Sequence, residues 1–270
     1  MTIDQPKAGD TIVVWFSCGA ASAIALAETI RLYPECNIRA VNNPVIEEDP
    51  DNLRFKNDIA KWLDIEIETA INPDYAHCSA EKIWEKGFMS SPHGAPCTKH
   101  LKKEARYHWE NNNHFDWLVL GFTFDERHRF LNFQATERPN LLGVLVDQQI
   151  TKEECFYRLA KAGIKRPAIY ERGYPNANCI GCVKATSPTY WNLVREQDPE
   201  VFNRRAEQSR RIGAKLVRHK GDRIFLDELP PDAVGSPLET YESFECGIFC
   251  EEKTFFYQPS LLENSATCAA

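Results

Sequence analysis

The sequence has little of what a membrane protein or a general nucleic-acid binder needs. Its apolar runs, such as 12–16 and 141–146, have the length of strands and are too short to cross a bilayer. Its first residues are polar and acidic and lack the basic and apolar parts of a secretory leader. The formal net charge is −7, so broad electrostatic capture of nucleic acid is disfavoured. These absences predict a cytoplasmic protein with no membrane partner.

Cysteine, in contrast, is plentiful, with 10 residues in a chain of 270. In a reducing compartment such cysteines favour ligation or thiol chemistry over disulfides. Cys179 and Cys182 lie at i and i+3 in a turn of small residues, where Gly181 supplies backbone freedom. Cys97 precedes the lysine-rich stretch 98–103. Thiolates beside cations are typical of a metal or iron–sulfur centre; a redox dithiol or a chance spacing is the alternative.

Strand-like and helix-like segments alternate along the first part of the chain. The strand-like segments are residues 11–16, 38–43, 65–69, 117–122 and 141–146. This alternation predicts an α/β, Rossmann-like, mostly parallel sheet with helices on both faces. After residue 187 we expect two helices, the second capped by Asp198, and a hairpin. The predicted organisation is a nucleotide-binding domain over 11–187, a helical and hairpin extension over 188–250, and a tail over 251–270.

Ligands of such sheets bind beyond the carboxyl ends of the strands, and the first such segment is residues 17–22. Its small residues let backbone N–H groups approach an anion, and the dipole of the following helix favours negative charge. Ser17, Gly19 and Ser22 are therefore candidate cofactor-binding residues. A tight turn without a ligand would use similar residues. The segment has no carboxylate, although a loop that holds Mg²⁺ against a triphosphate would ordinarily supply one.

Candidate cations for an anionic group lie in two further segments. Arg127 and Arg129 follow a predicted strand and can grip phosphate or sulfate with two hydrogen bonds each. Pairing with Asp125 or Glu126 is the alternative. Lys102, in the lysine-rich stretch after Cys97, is a further candidate cofactor-binding cation.

Cys246 is a candidate nucleophile because it lies beside Gly247 in a late segment of the chain. A fourth metal ligand or a resolving pair with Cys250 is the alternative. Positive charge gathers over residues 204–223, where we favour a solvated helix face and hairpin over an RNA-binding or other polyanion-binding surface. Its cations are Arg204, Arg205, Arg210, Arg211, Lys215, Arg218 and Lys220.

Taken in order, these segments resemble the phosphoadenosine phosphosulfate (PAPS) reductase family, within the adenine-nucleotide alpha-hydrolase-like superfamily. The matching segments are residues 17–19, 97–102, 173–182 and 245–248. The resemblance implies an adenylyl sulfate substrate and, in the adenosine phosphosulfate (APS) branch, a [4Fe-4S] cluster with Cys97, Cys179 and Cys182 as ligands. It also implies that the Cys246 thiolate attacks the sulfonyl sulfur and that a thioredoxin-like reductant then releases sulfite.

The chain departs from that family at Pro96, where the cluster-bearing reductases have a further cysteine, and at Phe249, where the terminal motif would continue towards a histidine. A cluster with three cysteines leaves one iron open to another ligand. One alternative is therefore an ATP-dependent, iron–sulfur-dependent enzyme that thiolates a nucleobase, with tRNA as its partner. Another is a non-catalytic nucleotide-binding module that a cluster or a zinc ion stabilises.

Overall fold

The centre of the molecule is a parallel sheet of five strands in the order β3-β2-β1-β4-β5. The computed structural model describes residues 5–91 and 94–238. The strands are β1 (Thr11–Trp15), β2 (Asn37–Asn42), β3 (Ile67–Thr69), β4 (Trp117–Val119) and β5 (Leu141–Leu142). Every pairing between neighbouring strands is parallel. The predicted α/β, Rossmann-like fold is confirmed.

Helices connect the strands and continue after the sheet. Those of the first half are α1 (Ala20–Leu32), α2 (Asn52–Leu63), α3 (Ala80–Trp84), α4 (Glu104–Asn111) and α5 (Arg127–Thr136). Those that follow are α6 (Val144–Asp147), α7 (Lys152–Lys161), α8 (Ala168–Glu171), α9 (Pro188–Gln197) and α10 (Pro199–Ile212). None of the helices within the described ranges combines the length and the apolar character needed to span a bilayer.

The central strand β1 is buried on both faces, which explains its unbroken apolar sequence. Ile12 and Val14 belong to the core beneath α1, α2 and α7. Val13 and Trp15 belong to the opposite core, which α4 and α5 cover. Because successive side chains of a strand point to opposite faces, one short run of residues anchors both layers of helices.

The strand order creates a switch point beside β1. The chain runs outward from β1 to β2 and β3, and then returns to place β4 on the other side of β1. The connections that leave the carboxyl ends of β1 and β4 therefore diverge and open a crevice between them. Residues 17–22 and 120–126 are the segments that border this crevice.

The predicted strand over 141–146 is wrong beyond Leu142. Gly143 follows, and a Cβ atom at this position would lie 2.7 Å from Cζ of Phe130. The chain therefore passes directly over that ring and turns into α6, where the Asp147 N–H donates to the Gly143 carbonyl at 2.7 Å. Asp198 precedes α10 as predicted, but its side chain makes no cap hydrogen bond.

The last two helices and a hairpin pack on a third core. The hairpin pairs β6 (Val217–His219) with β7 (Asp222–Ile224) in antiparallel register. Trp191, Phe202 and Val217 from this part are buried together with Trp84 of α3. The same core contains Cys97, Cys179 and Cys182.

Candidate functional site

The loop after β1 is shaped by main-chain contacts. Ser22 Oγ accepts from the Ser17 N–H at 3.1 Å and donates to the Gly19 carbonyl at 2.9 Å. Cys18 takes a left-handed conformation, with φ of 58°. Asn42 of β2 holds this turn from below, since its amide donates to the Phe16 carbonyl at 2.8 Å. The loop therefore presents small residues and backbone amides at the start of α1.

Cys18 is a structural thiol beneath that loop. It is 3% exposed, and burial, followed by the nearby charge of Glu48, raises its pKa to about 12. The side chain therefore stays a neutral thiol at physiological pH and adds no negative charge beside a bound anion.

Gly121, just beyond β4, allows the two strand ends to meet. A Cβ atom at this position would lie 2.8 Å from the Ser22 nitrogen and 3.0 Å from its Cα. No side chain fits there without moving the loop after β1. This close approach fixes the width of the crevice.

A pocket, the switch-point pocket, occupies this crevice and encloses about 110 Å³. This is below the roughly 300–1,000 Å³ of typical small-molecule pockets, so a nucleotide would enter it with part of its bulk and extend out of its mouth. Apolar and small residues make the floor, and polar side chains stand around it. The lining residues are Trp15, Ser17, Gly19, Ala21, Ser22, Leu120, Gly121, Phe122, Thr123, Glu126, Arg129, Lys152, Tyr170, Asn176, Ala177 and Asn178.

The three loop residues that the sequence nominated, Ser17, Gly19 and Ser22, all line this pocket. Of the nominated cations, Arg129 lines it and forms a close ion pair with Glu126. The pairing that the sequence left as an alternative is therefore present.

Two nominated cations lie elsewhere. The Arg127 guanidinium lies 5.1 Å from the centre of the Phe124 ring and is not among the lining residues. Lys102 is buried and donates to the Asn43 carbonyl at 3.0 Å and to the Glu48 carboxylate at 2.8 Å. It supports the loop after β2 rather than the wall of the pocket.

Sequence reasoning missed several lining residues because they come from distant segments. Lys152, at the start of α7, donates to the Pro175 carbonyl at 2.5 Å. The Tyr170 hydroxyl accepts from the Ala20 N–H at 3.4 Å, at the first residue of α1. From the sequence, Glu126 was named only as the alternative ion-pair partner of the nearby arginines. Nothing in the sequence indicated that this carboxylate lines the pocket.

The turn that carries Cys179 and Cys182 is held by buried side chains of α9 and α10. The Tyr190 hydroxyl accepts from the Cys182 N–H at 3.0 Å and donates to the Cys179 carbonyl at 3.5 Å. Arg205 donates to the Gly181 carbonyl at 3.2 Å. Gly181 has φ of 68°, as its predicted role requires.

The cation that supports this turn is itself buried and paired. Arg205 is 0% exposed and reaches the Glu81 carboxylate of α3 at 3.1 Å. Its guanidinium lies 4.1 Å from the centre of the Trp84 ring. We name the arrangement of Cys97, Cys179 and Cys182 with these supports the cysteine core.

The segment that leads to the turn is anchored as well. Arg172 pairs with Asp49 and, at 2.5 Å, with Asp198. The Tyr174 hydroxyl donates to the other Asp198 oxygen at 2.6 Å, and burial is the main cause that raises the Tyr174 pKa. These bonds explain why the Asp198 carboxylate is not available to cap α10.

The predicted metal ligands lie in the same part of the molecule. Cys97, Cys179 and Cys182 are all buried in one apolar cluster, and a buried guanidinium lies beside the turn, which suits thiolate ligands. Among residues 5–91 and 94–238, however, no three His, Cys, Asp or Glu side chains are grouped closely enough to hold a metal ion. Cys246 and Cys250 lie outside the described residues. The ligand assignment therefore stays a prediction.

No protein-family model and no curated protein matches this sequence. Among solved structures, the chain is similar to the U34-tRNA thiolase NcsA from Methanococcus maripaludis with its [4Fe-4S] cluster, at a TM-score of 0.42 and 12% identity. The match covers 80% of this chain and 75% of that chain. A likeness at this level carries no argument about activity. The class of the molecule, a Rossmann-like α/β protein with its pocket at the switch point, rests on its own strand order.

Proposed function

We propose that this protein is an enzyme of nucleotide-dependent sulfur chemistry that binds an adenine nucleotide in the switch-point pocket. The observation that carries the proposal is the meeting of the Ser17–Ser22 segment with Gly121 at the carboxyl ends of β1 and β4. Small residues and a helix start at this place suit the phosphates of a nucleotide. Phe122, a half-buried lining residue, offers apolar surface for a base.

For the reaction, we favour the ATP-dependent thiolation of a nucleobase. The lack of a carboxylate in residues 17–22 disfavoured ATP as the substrate. Glu126 supplies a carboxylate at the pocket itself, where it is paired with Arg129. We propose that Mg²⁺ bound to the phosphates replaces Arg129 as the partner of this carboxylate, which frees Arg129 to face the nucleotide.

Reduction of an adenylyl sulfate, the family expectation, is the second candidate. The segment 245–248 with Cys246 supports it, and Arg129 and Lys152 suit a sulfate as well as a phosphate. A thioredoxin-like reductant would be the partner of this reaction, and RNA the partner of the first.

In either reaction the proposed holders of a [4Fe-4S] cluster are Cys97, Cys179 and Cys182, with zinc as the alternative. The cluster would supply an iron that can bind sulfur. The chain itself supplies the surroundings: Tyr190 and Arg205 fix the main chain between Cys179 and Cys182. Iron, sulfide and zinc analysis of protein purified without oxygen tests this assignment, and stoichiometric zinc without sulfide would reject the cluster.

Nucleotide binding is tested on the full chain by thermal shift with ATP, APS and PAPS, with and without Mg²⁺. We expect ATP with Mg²⁺ to raise Tm, and Glu126→Gln to remove the dependence on Mg²⁺. Asp125→Asn is the matched control, because this neighbouring carboxylate accepts from the Lys152 N–H at 3.0 Å and does not line the pocket. If no nucleotide changes Tm, the proposal is wrong.

The two reactions are separated by their products. RNA-dependent release of pyrophosphate or AMP from ATP supports thiolation. Release of sulfite from APS or PAPS, lost in Cys246→Ser, supports reduction instead and rejects the reaction that we favour.

A further inference from the structure

The cations of residues 204–223 divide into two groups. Those of α10 are paired with carboxylates. Arg204 and Arg205 pair with Glu81, at 3.0 and 3.1 Å. Arg210 pairs with Asp227 at 2.7 Å. Arg211, similarly, pairs with Glu85 at 3.5 Å. The charge of this helix is therefore used within the molecule.

The β6–β7 hairpin is different. Arg218 and Lys220 are exposed, and within the described ranges no carboxylate is in ion-pair contact with either of them. Arg223 lies opposite Arg218 in the register of the hairpin, so a third cation lies beside these two, and burial, followed by the charge of Arg218, lowers the pKa of Arg223. Among the described residues, no ion pair neutralises the charges of Arg218 and Lys220, although the net charge of the chain is −7.

A groove of about 470 Å³ runs beside these cations. Arg218, His219 and Lys220 line one side, and residues 230–235 line the other. Asp232 is the one carboxylate among the lining residues.

The second wall of the groove is fixed by α9. The Asn192 amide donates to the Ala233 carbonyl at 2.8 Å, and Thr189 Oγ1 accepts from the Gly235 N–H at 2.8 Å. These hydrogen bonds hold the second wall of the groove in place.

We propose that this groove binds the phosphodiester backbone of RNA. The inference rests on the proposed thiolation, whose substrate is a nucleobase in RNA. A single small anion would gain little here, because exposed ion pairs contribute little in water. A polyanion instead gains from each contact through the release of counterions. Arg218 and Lys220 are the side chains that neutralise phosphates.

The test is the salt dependence of binding between the full-length protein and an unmodified tRNA transcript. In Arg218→Gln/Lys220→Gln we expect weaker binding and a slope of log K against log salt that is smaller by about 1 for each cation removed. Arg210→Gln/Arg211→Gln is the matched control, since it removes the same charge from α10. Arg218→Lys/Lys220→Arg keeps the charge and is expected to keep the slope.

Three results would overturn the inference. The wild type does not bind the transcript, the slope is unchanged in Arg218→Gln/Lys220→Gln, or Arg210→Gln/Arg211→Gln loses as much affinity as the hairpin variant. The thermal shift with ATP is measured on the same variants and is expected to be unchanged. If ATP shifts Tm but the hairpin variant binds the transcript as the wild type does, RNA does not bind in the groove. The proposed nucleotide site is then unaffected. If ATP has no effect in the wild type, the proposed function fails independently of the RNA result.

Discussion

The switch-point pocket and the cysteine core are built in opposite ways. Where the two strand ends meet, the pocket is bordered by main chain and small side chains, from Gly121 and residues 17–22. The turn of the cysteine core is held by large buried side chains from other elements, Tyr190 and Arg205. The pocket presents its polar groups to a ligand. The cysteine core uses its polar groups to fix its own main chain.

Because of this difference, substitutions in the two regions should affect different properties. In the pocket, a lost polar group should weaken ligand binding more than folding. In the cysteine core, a lost polar group leaves buried main-chain atoms without partners, and the stability of the fold should fall first. Tyr170 connects the two regions, because it lines the pocket and packs against the apolar cluster that contains the three cysteines.

The largest expected effect is that of Arg205→Ala. The substitution removes the bonds to Glu81 and to the Gly181 carbonyl. Glu81 keeps Arg204 as a partner, so the main cost is the buried Gly181 carbonyl left without its charged donor, and we expect the free energy of unfolding to fall by about 1.5–3 kcal/mol. Chemical denaturation measures the loss. The control is Arg210→Ala, which removes an exposed pair and should change stability little; equal losses in both variants would contradict the proposed role of burial.

The second prediction concerns pH and the two deeply buried thiols. Burial raises the pKa of Cys18 and of Cys155 from 9.0 to about 12. Between these values the thiols ionise in the unfolded state while they stay protonated in the folded state. The stabilisation is therefore complete below pH 9 and is lost as the pH rises towards 12, by about 1.4 kcal/mol per pH unit for each thiol.

Urea denaturation at pH 8 and pH 10 measures this loss. Cys18→Ala should make the fall in stability smaller by about 1.4 kcal/mol, and Cys155→Ala, at the other deeply buried thiol, should have the same effect. If Cys18→Ala leaves the fall between pH 8 and pH 10 as it is in the wild type, Cys18 is not the protonated thiol that its burial implies.

The parts of the fold that depend on local pattern were predictable. The β1 strand and the loop after it follow from an apolar run and a set of small residues, and both lie where the sequence placed them. The end of β5 was not predictable, because Gly143 bends the chain over a ring that only the tertiary structure brings there.

The candidate site shows the same division. Ser17, Gly19 and Ser22 were found because they follow a strand directly. Lys152 and Tyr170 come from more than 100 residues further along the chain and carry no local signal. The supports of the cysteine core were missed for the same reason: Arg205 was counted with a cationic stretch, yet it is fully buried.

The third prediction concerns Ser22, in the loop that borders the pocket. Ser22→Ala removes three hydrogen bonds that shape the loop, with the Ser17 N–H, the Ser17 hydroxyl and the Gly19 carbonyl. We expect ATP affinity to fall about tenfold, which corresponds to about 1.4 kcal/mol, the loss expected when the loop relaxes and one hydrogen bond to the ligand is weakened. The control is Thr29→Val, which removes a buried hydroxyl-to-carbonyl bond of 2.6 Å in the same helix. It should lower stability without changing affinity in titration calorimetry.

The smallest expected effect is at the junction of the two regions. Without nucleotide, the Tyr170 hydroxyl accepts from the Ala20 N–H at 3.4 Å, where a phosphate oxygen would bind. Tyr170→Phe frees this N–H for the ligand. Because the bond is long and weak, we expect ATP affinity to rise only about twofold. Titration calorimetry measures the gain, and Tyr157→Phe, at a tyrosine that is 60% exposed on α7, is the control. A fall in affinity would contradict this expectation. It would mean that the Tyr170 hydroxyl bonds to the bound nucleotide and does not compete with it for the Ala20 N–H.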